Sequence, residues 1–496
     1  MIGQNQSQPA LFQMIDIESL VPADHRLRQI DAALDLSFVR EALAECYTPG
    51  VGRPSVDPEL VLRMMILGVL YDLSDRKLCD EVGMHAGFRW FCRLDFHDSV
   101  PDHSTLSRLR NERWAPGDVF TRVFDEVLKS CVSAGIVSGR HVSVDGTLIR
   151  ANASMRSMER NDEAVDNDEA QGLDYPVESD EVQDNEEAVD DEAQANDEPP
   201  EEPPTREPQP EGVWQGHGQT YSNKTHTSRT DPDARLYSKG KGKSASLSYI
   251  VHDLIDTKSR VVLGRRASIA TGTAERDVAL ELLAEHEARR HILGLDQAVE
   301  VLTGDKGYGA SSFVADVIDL GITPHVPLLS GSEVEDLPTW QKRTFDMARY
   351  RKRRALRKEA EARNKVRLAS RGHPYVVSRK LRTRSEHIFA EAKNEHGLGR
   401  ARHRSLSRVD RQSLLVATVQ NLKRVSQALR RQAQGAAASG LRYFDTLSHA
   451  LSRAIIEWSS KWPANSRNEH HFRLIAVYAA KTVDRGVKTL DCSTAF

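Results

Sequence analysis

A chain of 496 residues has room for two to four domains and at least one large core. Its most apolar run, Leu60 to Leu70, contains Arg63 and falls short of the roughly 20 residues a membrane span needs, so it reads as a buried core helix. The net charge of −4 hides an asymmetry: Glu159–Glu211 holds 22 acidic residues against Arg160 and Arg206, which leaves +16 for the rest and suits a polyanionic partner.

Residues 15–135 read as a helical N-terminal domain. Asp57-Pro58-Glu59 is a helix start, with Asp as N-cap, Pro at the first helical position and Glu in the first turn. Ser74 to Gly83 is a short helix ended by glycine, followed by His85-Ala-Gly-Phe-Arg-Trp-Phe. Two short helices about a glycine turn are compatible with a helix-turn-helix. Pro101-Asp102-His103-Ser104-Thr105 caps a further helix that carries Arg108, Arg110 and Arg113.

Mixed α/β structure is expected over 138–328. A first strand ends at Asp145. An acidic insertion over 156–216, with an internal near-duplication at Glu163–Gln171 and Glu187–Gln194, has too little apolar surface to offset ordering entropy and is expected to be disordered. Either it is a tolerated loop or it shields the basic surface as an internal decoy. Leu247–Ile255, a turn at Asp256–Ser259 and Arg260–Leu263 form a hairpin pattern. A helix over about 275–290, a strand into Asp305, a helix near 310–320 and a strand at Ile322–Val326 follow. Together they predict a mixed sheet flanked by helices. Residues 329–378 read as an irregular basic insertion with Arg351, Lys352, Arg353 and Arg354. Residues 379–428 hold a helix with Glu386 and the end of the core, then a basic stretch (Arg400, Arg402, His403, Arg404, Arg408, Arg411) and core-spaced Leu415, Val419 and Leu422. Residues 435–496 read as a helical tail with a pattern around Leu447–Trp458.

The five cysteines (Cys46, Cys79, Cys92, Cys131, Cys492) form no C-x-x-C pair, which points to reduced thiols rather than disulfides or zinc. The N-terminus has no basic-then-apolar signal pattern, so a cytoplasmic location, on the nucleoid when DNA is bound, is expected.

Three carboxylates stand out. Asp145 and Asp305 each close an apolar stretch, and acidic side chains at neighbouring strand ends can hold two Mg²⁺ ions for phosphodiester chemistry. Taken singly, Asp145-Gly146 could be a hairpin turn and Gly304-Asp-Lys-Gly307 a plain loop. Asp253 and Asp256 rank lower, inside a strand and in a turn. At about 100° per residue, Arg382, Glu386, Phe389 and Lys393 fall within about 60° of one another, with Glu391 about 180° away. That face suits an active-site helix whose cations grip phosphates, although an Arg–Glu pair on a solvated face gives the same pattern.

With these motifs the chain resembles the DDE transposases of bacterial insertion sequences, within the insertion-sequence-four and insertion-sequence-five relatives, over roughly residues 50–425. Val144-Asp145-Gly146-Thr147 with Ala151–Ser154 is similar to the first-Asp motif, and Thr303–Tyr308 to the second. Arg382-x3-Glu386-x6-Lys393 matches the Arg, Glu and Lys of the glutamate signature, with Arg379 where that signature has tyrosine. Asn421–Arg424 resembles the close of the catalytic domain. Gly52-Arg53-Pro54 and Pro101–Thr105 resemble the N-terminal helical domain. Some relatives carry a cysteine cluster before the glutamate helix; this chain has no cysteine between 132 and 491.

The resemblance implies a ribonuclease H-like core and an N-terminal domain that binds terminal inverted repeats. It implies cut-and-paste transposition with Mg²⁺ or Mn²⁺, two ions held by Asp145, Asp305 and Glu386, in a homo-oligomeric complex with double-stranded DNA. Arg382 and Lys393 would contact phosphate, and Arg351–Arg354, Arg108 and Arg110 are further DNA-contact candidates. Two other readings stand beside it: an inactivated or repurposed transposase that binds DNA sequence-specifically without cutting, and a metal-dependent nuclease without strand transfer.

Overall fold

A computed structural model describes residues 16–47, 55–115, 117–161, 213–216, 219–238, 244–331, 333–337 and 347–460. The motif Gly52-Arg53-Pro54, the interior of the acidic insertion and the tail beyond 460 lie outside the described residues.

Among the described residues the N-terminal region is built of eight α-helices: α1 (Ile17–Leu20), α2 (Arg26–Asp31), α3 (Val39–Ala42), α4 (Pro58–Leu70), α5 (Asp75–Met84), α6 (Ala86–Phe91), α7 (His103–Arg108) and α8 (Val119–Ser133). Helix α4 starts as its sequence dictates. Asp57 accepts the Glu59 N–H at 3.0 Å, and Pro58 opens the first turn. Every residue from Val61 to Leu70 is buried, which makes α4 the central helix of this region. Arg63 is tolerated there because Asp31 (2.7 Å) and Glu59 (3.0 Å) pair with it and its guanidinium lies over Phe91.

The helix-turn-helix reading is corrected. Gly83 lies inside α5, and α5 and α6 are separated by His85 alone, which N-caps α6. Gly87 through Phe91 are all buried, so α6 has no face to lay in a DNA groove.

The second layer is a six-stranded mixed sheet. Its strands are β1 (His141–Arg150), β6 (Arg235–Tyr237), β7 (Ser246–Asp256), β8 (Val262–Ile269), β9 (Val301–Thr303) and β10 (Thr323–His325). The order is β10-β9-β1-β7-β6, with β8 also on β7. β1–β9 and β9–β10 are parallel, and the other pairs are antiparallel. β1 runs through Asp145 to Arg150 instead of ending there, because it pairs with β7 along its length.

Helix α9 (Ala274–Arg289) covers one face; a Cβ on Gly264 of β8 would lie 3.2 Å from Leu282, so the bare glycine allows that close packing. Helix α12 (His373–Glu395) covers the other face, where Ser385 donates to Ser143 at 3.2 Å. This sheet with its flanking helices is a ribonuclease H-like core.

Helix α10 (Ser311–Asp319) packs against α11 (Met347–Ser370) through Val314, Ala315, Ala362 and Val366. The expectation of an irregular insertion over 329–378 therefore fails from Met347 onward. Its Arg, Lys, Ala and Glu content favours helix, and a short apolar stripe is enough to dock it. Helix α12 likewise starts at His373, with Pro374 in its first turn, ahead of the boundary expected at 379. The limits 156–216 for the acidic insertion are also too wide. At one margin β2 (Met158–Arg160) pairs with β5 (His226–Ser228). At the other β3 (Val213–Gly216) pairs with β4 (Gln219–Ser222). Helix α13 (Leu406–Ser460) carries Leu415, Val419 and Leu422. Residues 1–424 form one compact unit and 425–496 a second.

The N-terminal helices are tied to the core. His396 meets the Val69 carbonyl at 3.0 Å, Arg402 donates to Leu73 O at 2.7 Å and Arg411 to Arg110 O at 2.8 Å. Two arginines of the basic stretch are thus engaged in joining the two layers.

Candidate active site

Asp145 sits in the middle of β1, so the hairpin-turn alternative does not apply. The parallel register places Ser143 opposite Thr303, which sets Asp305, two residues on, beside Asp145. The Thr303 hydroxyl donates to Val142 O at 3.2 Å and ties the two strands just before the acids. Gly304 is needed for the turn that follows, since a Cβ there would lie 3.1 Å from the Tyr308 ring. Arg379 of α12 donates to the Gly304 carbonyl at 3.1 Å. It therefore anchors the peptide leading into Asp305, a role its sequence position did not suggest.

The carboxylates are poorly compensated. Asp145 accepts its neighbour's N–H, from Gly146, at 2.9 Å. Burial pushes its carboxyl up to about 6; the Arg382 guanidinium and that N–H oppose the rise, and the Asp305 and Asp253 charges add to it. Asp305 Oδ1 is buried without a hydrogen-bond partner. A buried carboxylate oxygen with no donor is costly unless a cation completes it. Hard oxygen donors of this kind suit a divalent ion such as Mg²⁺ or Mn²⁺. The residues present therefore fit a metal.

Helix α12 carries the third expected carboxylate and its flanking cations. Arg382 donates to Glu386 at 2.9 Å, and the Glu386 side chain is 57% exposed, accessible to an incoming group. Lys393 donates to Thr147, on the same strand face as Asp145, at 2.6 Å. Glu391 faces away: Lys423 and Arg424 of α13 pair with it, the latter at 2.8 Å. Burial works against its ionisation, but His396, Arg424 and Lys423 outweigh burial and hold it well below the usual carboxylate range. Glu391, Glu395 and His396 are close enough together to ligate an ion. Lys423 already bridges the two glutamates, so this group is an ion-pair network.

Two other acids near the strands have structural duties. Asp253, paired across the sheet with Asp145, is fully buried in a bidentate bridge to Arg265 at 2.5 Å. Asp256 accepts from Ser138, Gly139, Lys258 and Ser259 and shapes the β7–β8 turn. Glu275, in the first turn of α9, went unnoticed in the sequence, where it reads as ordinary helix-start acidity. Its Oε1 lies 3.1 Å from where a Gly146 Cβ would sit. Burial and the Asp305 charge raise its carboxyl, against Arg276.

Of the cations nominated for DNA, Arg351, Lys352 and Arg354 are exposed on α11, Arg353 is half-buried there, and Arg108 is exposed on α7. Arg110 differs: it is bidentate on Asp75 (2.6 and 3.2 Å) and 12% exposed, so it holds the fold together.

Among known families, a transposase domain matches residues 15–112 and the transposase DDE domain matches residues 214–422. No solved structure matches the chain. The second range contains Asp305 and Glu386. Asp145 falls between the two ranges, yet its strand lies between β7 and β9 in the same sheet. The DDE domain is that of a metal-dependent polynucleotidyl transferase acting on DNA, and the chain belongs to the DDE transposases of insertion-sequence type.

Proposed function

We propose that this transposase cuts DNA at the terminal inverted repeats of its own element and joins the freed 3′-ends to target DNA. The observation that carries this reading is that Asp145 on β1 and Asp305, just past the end of the parallel strand β9, lie on neighbouring strands, with the buried Oδ1 of Asp305 lacking any donor. Asp145, Asp305 and Glu386 would hold two Mg²⁺ or Mn²⁺ ions. Bound there, the ions would activate the attacking oxygen and stabilise the leaving one.

The chain's own residues do the remaining work. Arg379 fixes the Asp305 loop through Gly304 O. The Arg382–Glu386 pair is exposed on the Glu386 side, so Glu386 can turn to the site and leave Arg382 to meet a phosphate oxygen. Lys393, held against Thr147, places a second cation along the same face. The cations at 351–354, with Arg108, provide sequence-independent contacts to the duplex backbone. The active species is a homo-oligomer on DNA.

The test is incubation of the purified protein with DNA carrying the element's ends and Mg²⁺, beside Asp305→Asn. Cleavage and strand transfer by the wild type alone support the proposal. Binding without cleavage by both proteins would leave a DNA-binding protein without catalysis, and cleavage without target capture would leave a nuclease.

A further inference from the structure

The strand position after Asp145 is a glycine whose missing side chain is the space Glu275 uses. Successive residues of a strand face opposite sides, so Gly146 faces α9 while Asp145 faces α12. Glu275 reaches this point from the first turn of α9, with Oε1 3.1 Å from where a Gly146 Cβ would be. A side chain at 146 would crowd the Glu275 carboxylate and shift it by a few tenths of an ångström. Among the described residues Glu275 makes no hydrogen bond, and the cation whose charge acts on it is the neighbouring Arg276. Burial and the Asp305 charge disfavour the ionised carboxylate here, and the Arg276 charge offsets them only in part.

A second observation points the same way. Tyr308, three residues past Asp305, is 1% exposed, and its hydroxyl is buried with no partner. Burial first, and then the charges of Glu275, Asp145, Asp305 and Asp253, keep that hydroxyl protonated. A buried hydroxyl normally has a hydrogen-bond partner, and this one lies among the site's carboxylates with none.

We infer that Glu275 is a fourth carboxylate of the metal site, reaching the Asp145–Asp305 pair across Gly146 from the α9 side, with the Tyr308 hydroxyl available to orient it. The inference rests on the metal-site reading of Asp145 and Asp305. Glu386 approaches from α12 and Glu275 from α9, so the strand ends are flanked by one glutamate on each side. Such an arrangement would offer carboxylate oxygens to a divalent ion from both sides of β1.

The test measures Mn²⁺ bound to the full-length protein by electron paramagnetic resonance, without DNA. It compares the wild type with Glu275→Gln, Asp277→Asn, Gly146→Ala and Asp145→Asn. Asp277 is exposed, on the same turn of α9, and serves as the control. Glu275→Gln should weaken Mn²⁺ binding about tenfold or more, roughly the loss of one charged ligand, and Gly146→Ala should weaken it in the same direction, by a smaller factor, by shifting the carboxylate. Asp277→Asn should bind as the wild type does. In EDTA, Glu275→Gln should melt at or above the wild-type temperature, because an only partly compensated charge is removed; a purely structural glutamate would lower it. Wild-type Mn²⁺ affinity in both Glu275→Gln and Gly146→Ala, with weakened binding in Asp145→Asn, would overturn the role of Glu275 alone. Unchanged binding in Asp145→Asn would overturn the metal-site reading itself, and the inference with it.

Discussion

Replacing Asp145 with asparagine should make the metal-free protein more stable while abolishing its chemistry. An aspartate ordinarily titrates near 3.8, and burial beside Asp305 lifts Asp145 to about 6 in the fold. The sign is opposite to that of a salt-bridged acid. The folded state holds its proton more tightly than the unfolded chain, so stability is highest at low pH and is lost as pH rises from 3.8 through about 6. At pH 8 the cost of keeping the carboxylate ionised is on the order of 3 kcal/mol, from about 2 pKa units at about 1.4 kcal/mol each. It falls to roughly half at pH 5 and vanishes below about pH 4. The asparagine side chain carries no charge and escapes this cost. In EDTA at pH 8 the variant should therefore melt several degrees above the wild type, taking about 2 °C per kcal/mol for a large domain, and the gap should narrow at pH 5. Mg²⁺ should reverse the order, since a bound ion stabilises only the protein that holds it. Thermal denaturation of both proteins at the two pH values, with and without Mg²⁺, reads all of this. A variant less stable than the wild type at pH 8 in EDTA, or a gap that does not change with pH, would refute the reasoning.

Glu386→Gln and Glu391→Gln, on opposite sides of α12, should separate. The first should lose cleavage with unchanged folding; the second should keep cleavage and lose about 1–3 kcal/mol of stability, because Lys423 and Arg424 lose their partner. Cleavage assays and urea titrations distinguish them, and retained activity in Glu386→Gln with loss in Glu391→Gln would reverse the helix assignment. Asp253→Asn should fail through folding, at about 3–5 kcal/mol, because Arg265 would be left buried and unpaired; a well-folded but inactive Asp253→Asn would instead place Asp253 in the chemistry. Alanine at Arg351, Lys352, Arg353 and Arg354 together should weaken DNA binding on any sequence. It should also flatten the log–log salt dependence by up to about 3–4 units, at about 0.9 per phosphate contact. An unchanged slope in a binding titration would remove α11 from the DNA surface.

Much of this molecule was legible in local pattern. Asp57 and Asp102 announced their helices because a cap is satisfied by N–H groups two residues away. The one-sided face of α12 followed from helical periodicity, and it correctly turned Glu391 away from Glu386. Asp145, Asp305 and Glu386 were nominated by short motifs whose spacing survives any fold. What the sequence could not supply was the identity of neighbours distant along the chain. Only the sheet register put Asp253 opposite Asp145 and gave Arg265 to it. Only tertiary packing engaged Arg110 with Asp75, buried α6, and tied Arg402 and Arg411 to the N-terminal helices. Glu275 lies 130 residues from Asp145 in sequence, and nothing in its own turn of helix reveals that Gly146 has left room for it. Caps and periodicity depend on contacts within a turn or two, which composition encodes directly. Charge compensation at an active site depends on which strands and helices meet, and that is decided by the whole core.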